Sequence, residues 1–378
     1  MLFKEIQGNR KIKQNLKTIR KNNKVGHAYL FLGDQGSAKL AIAIAFARLL
    51  NCKKDKEDSC GTCSDCIKYS KLQHPDFHLV FPVLKNSKKK HQTSDNYLNE
   101  FRETIIKNPY VSFSEWNEII SNETKSKQEP KIYKDEANKI KEKTRLKNYE
   151  GKFRVFLLWF PEKMNRETSN KLLKLLEEPP KGTVFLLVSE NTKEMLPTIV
   201  SRTQIIKIKR FKTQEIIKQL QLEEKEFSRI EELNKITQGD ISEIKNIIQN
   251  KEQENYFELF SEWMRLAYKM NITKLIPWID KLSQSNKQNQ ELFCVYSISI
   301  IRECIMSSFY RTETVRNNDK EKTFIKKFTP FINAKNAYLI VKELEDVIGG
   351  IKRNGNVKIL FFNLSLKMEG LLKTKNMA

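Results

Sequence analysis

The stretch from His27 to Leu50 constrains the fold more than any other part of this chain. His27-Ala28-Tyr29-Leu30-Phe31-Leu32 reads as a buried strand, Gly33–Leu40 as a glycine-containing loop, and Ala38–Leu50 as an apolar helix. The strand signal returns at Phe153–Phe160, Val184–Val188 and Gln204–Ile208, with another apolar piece at Phe77–Val83. Helical periodicity accompanies them at Asn9–Asn22, Ile132–Lys147 and Arg166–Leu176, the last stopped by Pro179-Pro180. Apolar strands that alternate with helices imply an α/β domain whose parallel sheet is covered on both faces. That pattern stops near Lys209. Thr213–Gln249 reads as a small helical domain. From about Glu252 the chain reads as long amphipathic helices, with Leu292–Ile305 apolar enough to be buried among others. Lys85–Gln128 is polar and Lys-rich, and reads as an insertion with few element signals beyond some helix near Tyr97–Ile106.

With 378 residues, 39% of them hydrophobic, the chain is long enough for two or three domains with real cores. Lys and Arg exceed Asp and Glu by 23. Such an excess favours a polyanionic partner such as nucleic acid. The lysines are scattered, however, and Asn and Ile are also abundant, so a Lys-rich composition accounts for the charge equally well. No apolar run approaches the roughly 18 residues of a membrane span; Leu292–Ile301 is the nearest. Met1–Glu5 opens no basic-then-apolar leader pattern. The expectation is a soluble, cytoplasmic protein with no membrane partner.

A working phosphate loop reads G-x-x-x-x-G-K-[ST] between a strand and a helix. Gly33 and Lys39 fill the first glycine and the lysine positions, but Ala38 replaces the second glycine and Leu40 the Ser/Thr that ligates Mg²⁺. Leucine offers no oxygen to a hard cation. The strand Val155–Leu158 should deliver the acids that hold the metal and prepare the attacking water. It delivers Trp159-Phe160-Pro161, and the nearest acid, Glu162, lies past a proline. Losing these groups together removes metal-assisted phosphoryl transfer. Gly33, Ala38, Lys39, Leu40, Trp159 and Phe160 therefore outline a vestigial nucleotide site, and no ATP binding is expected. A loop that never held phosphate is the plainer alternative.

Cys52, Cys60, Cys63 and Cys66 follow the spacing C-x7-C-x2-C-x2-C. Four thiols within 15 residues suit a tetrahedral zinc ion, with Gly61 giving the tight turn of a knuckle. An iron–sulfur cluster is the rival metal reading. No position is left open for substrate, so the metal is expected to be structural. Cys294 and Cys304 sit in apolar helical sequence and read as core.

Several of these stretches together resemble bacterial clamp-loader subunits of the AAA+ class. They are His27–Gly33, the cysteine module after the first helix, and Asn170-Lys171-Leu172-Leu173-Lys174-Leu175-Leu176-Glu177-Glu178-Pro179-Pro180. Leu196-Pro197-Thr198-Ile199-Val200-Ser201-Arg202-Thr203 belongs with them, Thr203 standing where the family's Ser-Arg-Cys motif has cysteine. The resemblance is strong over residues 1–210, weaker beyond, and in the C-terminal part rests on Asn354-Gly355-Asn356, Leu360 and Leu364. It implies an AAA+ P-loop-type domain at 1–210, with a zinc module at 52–66 and an insertion at about 85–128. A helical lid at 211–250 and an all-α collar at 251–378 would follow.

Two branches of the family carry the cysteine module. One is the gamma/tau motor, with a complete ATP site; the other has a degenerate site. Leu40, Trp159 and Phe160 place this chain with the second, as does Ser242, which stands where motors carry an ATP-sensing arginine. The resemblance then implies a non-catalytic subunit that joins motor and delta subunits in a hetero-pentamer. That assembly opens a sliding clamp on primed DNA for the replicative polymerase, and the clamp itself is a further candidate partner. Arg202 would enter the neighbouring motor's ATP site as an arginine finger, with Ser201 orienting its loop. Two alternatives stand beside this. An active motor would need an oxygen at position 40 and an acid at 159 or 160. A stand-alone DNA-binding protein would need a dense basic face or aromatics interleaved with lysines, and its densest run is Ser87-Lys88-Lys89-Lys90-His91.

Overall fold

The computed structural model describes residues 1–54, 57–85, 92–124, 128–223, 230–231, 233–234, 237, 239–249, 256–310 and 319–373. The Ser87–His91 run lies outside them. Contacts divide the chain into two units: Met1–Glu223 with Gly239–Lys245, and Glu224–Gln238 with Asn246–Ala378.

Unit 1 is built on a parallel sheet of β1 (Ala28–Leu32), β2 (Phe77–Val80), β3 (Arg154–Trp159), β4 (Thr183–Ser189) and β5 (Gln204–Lys207), in the order β2-β3-β4-β1-β5. The central strands are apolar because both faces are covered; every residue of β3 and β4 is buried. Register sets Leu30 beside Leu187 and Leu157 beside Leu186, so the C-terminal ends of β1, β3 and β4 come out together. The sheet is open and parallel, and its carboxyl edge is where such sheets build their sites.

Helices α1 (Arg10–Lys21), α2 (Lys39–Asn51) and α3 (Ser64–Ser70) precede β2. All of α2 is buried, which explains its Ala-rich run of Leu, Ile and Phe. Helices α4 (Leu98–Lys107), α5 (Phe113–Thr124) and α6 (Lys134–Arg145) lie between β2 and β3. After β3 come α7 (Arg166–Glu177), α8 (Pro197–Val200) and α9 (Thr213–Leu220). Asn165 caps α7 by accepting the Thr168 amide at 2.8 Å.

In the segment 92–124, α4 takes the place of the helix expected near Tyr97–Ile106, but α5 follows and the segment is more than a polar excursion with few elements. Its surface is polar, but Phe101, Ile105, Trp116 and Ile120 are fully buried. Phe101 stacks on Phe81 at 3.9 Å, and Trp116 meets both rings edge-on while its indole N–H donates to the Pro82 carbonyl at 2.8 Å. Apolar residues spaced one helical turn apart among many charges carry little signal in sequence, yet two rings suffice to anchor a short helix pair.

In unit 2 the described residues form helices: α10 (Ile241–Gln249, begun in unit 1), α11 (Tyr256–Lys269), α12 (Ile272–Gln284), α13 (Lys287–Tyr310), α14 (Asp319–Phe328), α15 (Ala334–Lys352) and α16 (Val357–Lys373). Trp263, Trp278, Phe293 and Phe361 make its aromatic centre, with Cys294 and Cys304 fully buried nearby in the same core. Asn354, at φ 62°, turns the chain between α15 and α16, and Asn356 caps α16 through the Lys358 amide at 3.0 Å. Gly350 lets Leu360 approach so closely that a β-carbon would meet it at 2.9 Å. The Asn-Gly-Asn run is thus a helix-to-helix turn with its cap.

Replacing Trp116 with alanine is expected to cost about 3–5 kcal/mol, the usual range for an emptied aromatic site in a core. Urea unfolding of the W116A chain against the parent measures this. An unchanged midpoint would mean that the 92–124 helices are not part of the core.

Candidate functional site

Gly33 follows β1 in a space only glycine fits: a β-carbon would meet Ser37 Oγ at 2.7 Å and the Ile208 carbonyl at 2.9 Å. Gly36 turns the loop at φ +68°, and a β-carbon there would collide with the Asp240 carboxylate. Ala38, fully buried, precedes α2. Lys39 does not face open space. Its ammonium donates to the Asp34 carbonyl and to Glu190 Oε1, both at 2.9 Å, and the side chain is 6% exposed. Leu40 is buried and presents only hydrocarbon.

Acidic groups crowd this loop, and sequence reading missed most of them. Glu190, at the end of β4, receives Lys39, and its amide donates to Glu162 Oε1 at 3.0 Å. Glu162 is therefore folded back toward the loop despite the proline before it. Asp240 accepts from Gln35 Nε2 at 2.9 Å and from the amides of Ser242 and Glu243 at 2.9 and 3.2 Å. Burial raises the carboxyls of Glu162 and Asp240 above their usual range. Asp34 pairs with Arg210 at 2.6 Å. A phosphate-binding loop needs free N–H groups and positive charge; here the lysine is neutralised and carboxylates stand alongside. No motif announces this, since Glu190 lies 151 positions from Lys39 and Asp240 205 from Gln35.

Trp159 ends β3, and Phe160 follows in a left-handed conformation at φ 52°; both are buried. Trp159 packs against Phe101 and Trp116, and Phe160 against Phe113, with ring centroids 5.2–6.3 Å apart. Lys163 lies over the Phe113 ring at 4.9 Å. Ser242 lies against the same helices. Its hydroxyl receives Asn108 Nδ2 at 2.9 Å and donates to the Glu115 carboxylate at 3.1 Å.

The sulfurs of Cys52, Cys60, Cys63 and Cys66 lie within 4.8 Å of one another, and Cys60 and Cys66 are 3.9 Å apart. A tetrahedron of sulfurs at zinc–thiolate bond lengths has an edge of about 3.8 Å. The amides of Cys60 and Cys63 donate to Cys52 Sγ and Cys60 Sγ at 3.3 and 3.4 Å, as thiolate ligands require. Gly61, at φ +81°, makes the turn. These four residues could hold a metal ion.

A second cluster beside it, Asp65, His74 and Glu150, does not suit a metal. His74 Nδ1 accepts the Asp76 amide at 3.1 Å, so the neutral ring carries its proton on Nε2. That N–H faces Asp65 and Glu150 at 3.6 and 3.8 Å and leaves no lone pair for a cation. Lys53 and Lys68 neutralise the two acids. Asp76 gathers the amides of Tyr149, Glu150 and Gly151 at 2.8, 2.9 and 2.8 Å. The group is a strut that ties the cysteine module to the turn before β3.

Ser201 and Arg202 follow α8. Ser201 Oγ donates to the Thr198 carbonyl at 3.1 Å. Arg202, about one-third exposed, donates to the same carbonyl at 3.0 Å and pairs with Glu177 at 2.7 Å.

A family model described as DNA polymerase III, delta subunit, matches residues 8–212, more than half of the chain. The chain belongs to the DNA polymerase III delta subunit family. A delta-prime subunit from Bacillus subtilis is 27% identical over 49% of this chain and 42% of its own length. A tau/gamma subunit from Haemophilus influenzae is 26% identical over 53% of this chain and 22% of its own length. The chain thus matches less than half the length of these relatives. A solved gamma-subunit-related structure from Thermotoga maritima aligns over 95% of this chain and 99% of that one, at 14% identity and a TM-score of 0.36. The stretch matched to the delta subunit family takes in the loop, the cysteines, the 92–124 helices and Arg202. Among the described residues no helix is long and apolar enough to cross a membrane.

Asp76 gives a pH test of this family member. Burial opposes its ionisation, but the three amides outweigh that and hold its carboxyl below the ordinary 3.8. A lowered folded value means its contribution is present above pH 3.8 and is lost as pH falls through the folded value. Asp76→Ala is expected to cost about 1–3 kcal/mol near neutrality, with the gap to the parent closing below pH 3.8. Urea titrations across pH read it; a gap independent of pH would contradict the assignment.

Proposed function

We propose that this chain is a non-catalytic subunit of the DNA polymerase III clamp loader, of the delta-prime kind. One observation carries the reading. Where nucleotide phosphates and Mg²⁺ would sit, Lys39 is neutralised by Glu190, Leu40 offers no oxygen, and β3 ends in Trp159 and Phe160 beneath helices α4 and α5. A gamma/tau-type motor, to which identity is nearly as high, needs what those positions lack. The six residues from Gly33 to Phe160 that outline the loop are thus the remains of a nucleotide site. Residues 1–210, 211–250 and 251–378 serve as the sheet domain, lid and collar.

The chain then acts on a neighbour. Its partners are motor (gamma/tau) and delta subunits of a hetero-pentamer that loads a sliding clamp on primed DNA. Arg202 is the arginine finger. Its planar, permanently charged fork stabilises charge spreading over the γ-phosphoryl oxygens in the adjoining ATP site. Glu177 and the Thr198 carbonyl hold the guanidinium against α8, and Ser201 braces the same turn. Cys52, Cys60, Cys63 and Cys66 hold a structural zinc, which would crosslink the loop after α2. With four sulfur ligands the ion has no open position for chemistry.

Arg202→Ala is expected to leave the mass of the reconstituted loader unchanged while slowing hydrolysis at the site it completes by about 10³-fold. DNA-triggered ATPase assays on the assembled complex measure it, and an unchanged rate removes the finger. The purified chain is expected to carry one equivalent of zinc by elemental analysis. Cys66→Ser should lose that metal and lower the thermal midpoint, with release of metal from the parent increasing as acid protonates the thiolates. Full zinc retention by the serine variant would overturn the ligand set.

A further inference from the structure

We propose that the segment Asn108–Trp116 is a built-in substitute for nucleotide, holding residues 239–245 against the phosphate loop with no ligand bound. The inference rests on the reading of the loop as vestigial, and adds what replaces the lost ligand. A nucleotide in such a site bridges loop, strand end and lid residues. Here each of those three is joined by this chain's own side chains.

Asp240 brings the segment to the loop: its carboxylate sits where only a glycine at 36 leaves room, and it accepts Gln35. Ser242, two residues on, is held by Asn108 and Glu115. Glu115 is itself fixed, because it forms a reciprocal cap with Ser112: the Ser112 amide donates to Glu115 at 2.7 Å and the Glu115 amide to Ser112 Oγ at 3.1 Å. Phe113, the first residue of α5, packs its ring on Phe160 at the end of β3. Tyr110 meets Phe211 edge-on at 5.6 Å. One short stretch therefore touches the strand end, the residues leading to α9 and those opening α10. Ser242 is buried, and both hydrogen-bonding roles of its hydroxyl are filled from the 108–115 side. The bridge is permanent because it is covalently part of the chain and asks for no ligand.

Hydrogen exchange on the full chain, read by mass spectrometry, tests this. The parent is expected to protect the amides of 239–245 with no nucleotide present, and millimolar ATP with Mg²⁺ should leave that protection unchanged. Ser242→Ala should raise exchange in 239–245 by about tenfold or more, with β3 and β4 amides unaffected; Ser242→Thr, which keeps the hydroxyl, should restore most of it. Equal protection in the parent and Ser242→Ala, without any response to ATP, overturns the substitute alone. Protection that appears only when ATP is added overturns both the substitute and the vestigial reading of the loop. Because Ser242→Ala leaves Trp116 and its core in place, a global loss of protection would also count against the proposal.

Discussion

The contact between the end of β3 and helices α4 and α5 decides what the carboxyl edge of the sheet can be. Trp159 and Phe160 leave the sheet as bulky hydrocarbon at the end of β3. Hydrocarbon at a sheet edge must be covered, and Phe101, Phe113 and Trp116 cover it. Lys39, 6% exposed, needs a counter-charge where it is buried, and Glu190 supplies one.

The same logic of internal pairing runs through unit 1. Asp34 is met by Arg210, Asp240 by Gln35 and two amides, and Asp76 by three amides. His74 gives its Nε2 proton to the side of Asp65 and Glu150. Each of these groups faces a counterpart from the chain itself, His74 Nε2 at the longer distances of 3.6 and 3.8 Å. The cysteine cluster is the exception. Four sulfurs converge there, and buried Cys66 is pushed up to about 12 by desolvation, a cost that a bound cation would offset. Arg202 differs again, since its partner Glu177 is about half exposed and its pairing is a surface one, weak enough to exchange.

Much of this was legible in the linear order of residues. Continuous apolar runs marked β1, β3 and β4, because strands buried on two faces need no polar alternation. The spacing of Cys52, Cys60, Cys63 and Cys66 foretold one cluster, since short loops between thiols limit their geometry. That Leu40, Trp159 and Phe160 carry no oxygen for a hard cation was legible from their chemistry alone. Helix near Tyr97–Ile106 was legible as well, and α4 occupies it; what escaped was the second helix, α5, the core that Phe101, Ile105, Trp116 and Ile120 build among many charges, and the carboxylates of Glu190, Asp240 and Glu115. Glu162 does lie past the strand end and a proline, but its contact with the Glu190 amide, made from a short turn, was not legible.

Residue identity alone determined the layered α/β class, the helical remainder, and which oxygen ligands the loop can never provide, because these depend on hydrophobic period and on which atoms a side chain contains. Only the tertiary structure decided what fills the space they leave. That Asn108 and Glu115 meet Ser242, and that Lys39 is answered by Glu190, depends on strand order and register bringing distant positions to one edge. No local pattern encodes a contact across more than a hundred residues, since its energy exists only once the sheet has set the distance.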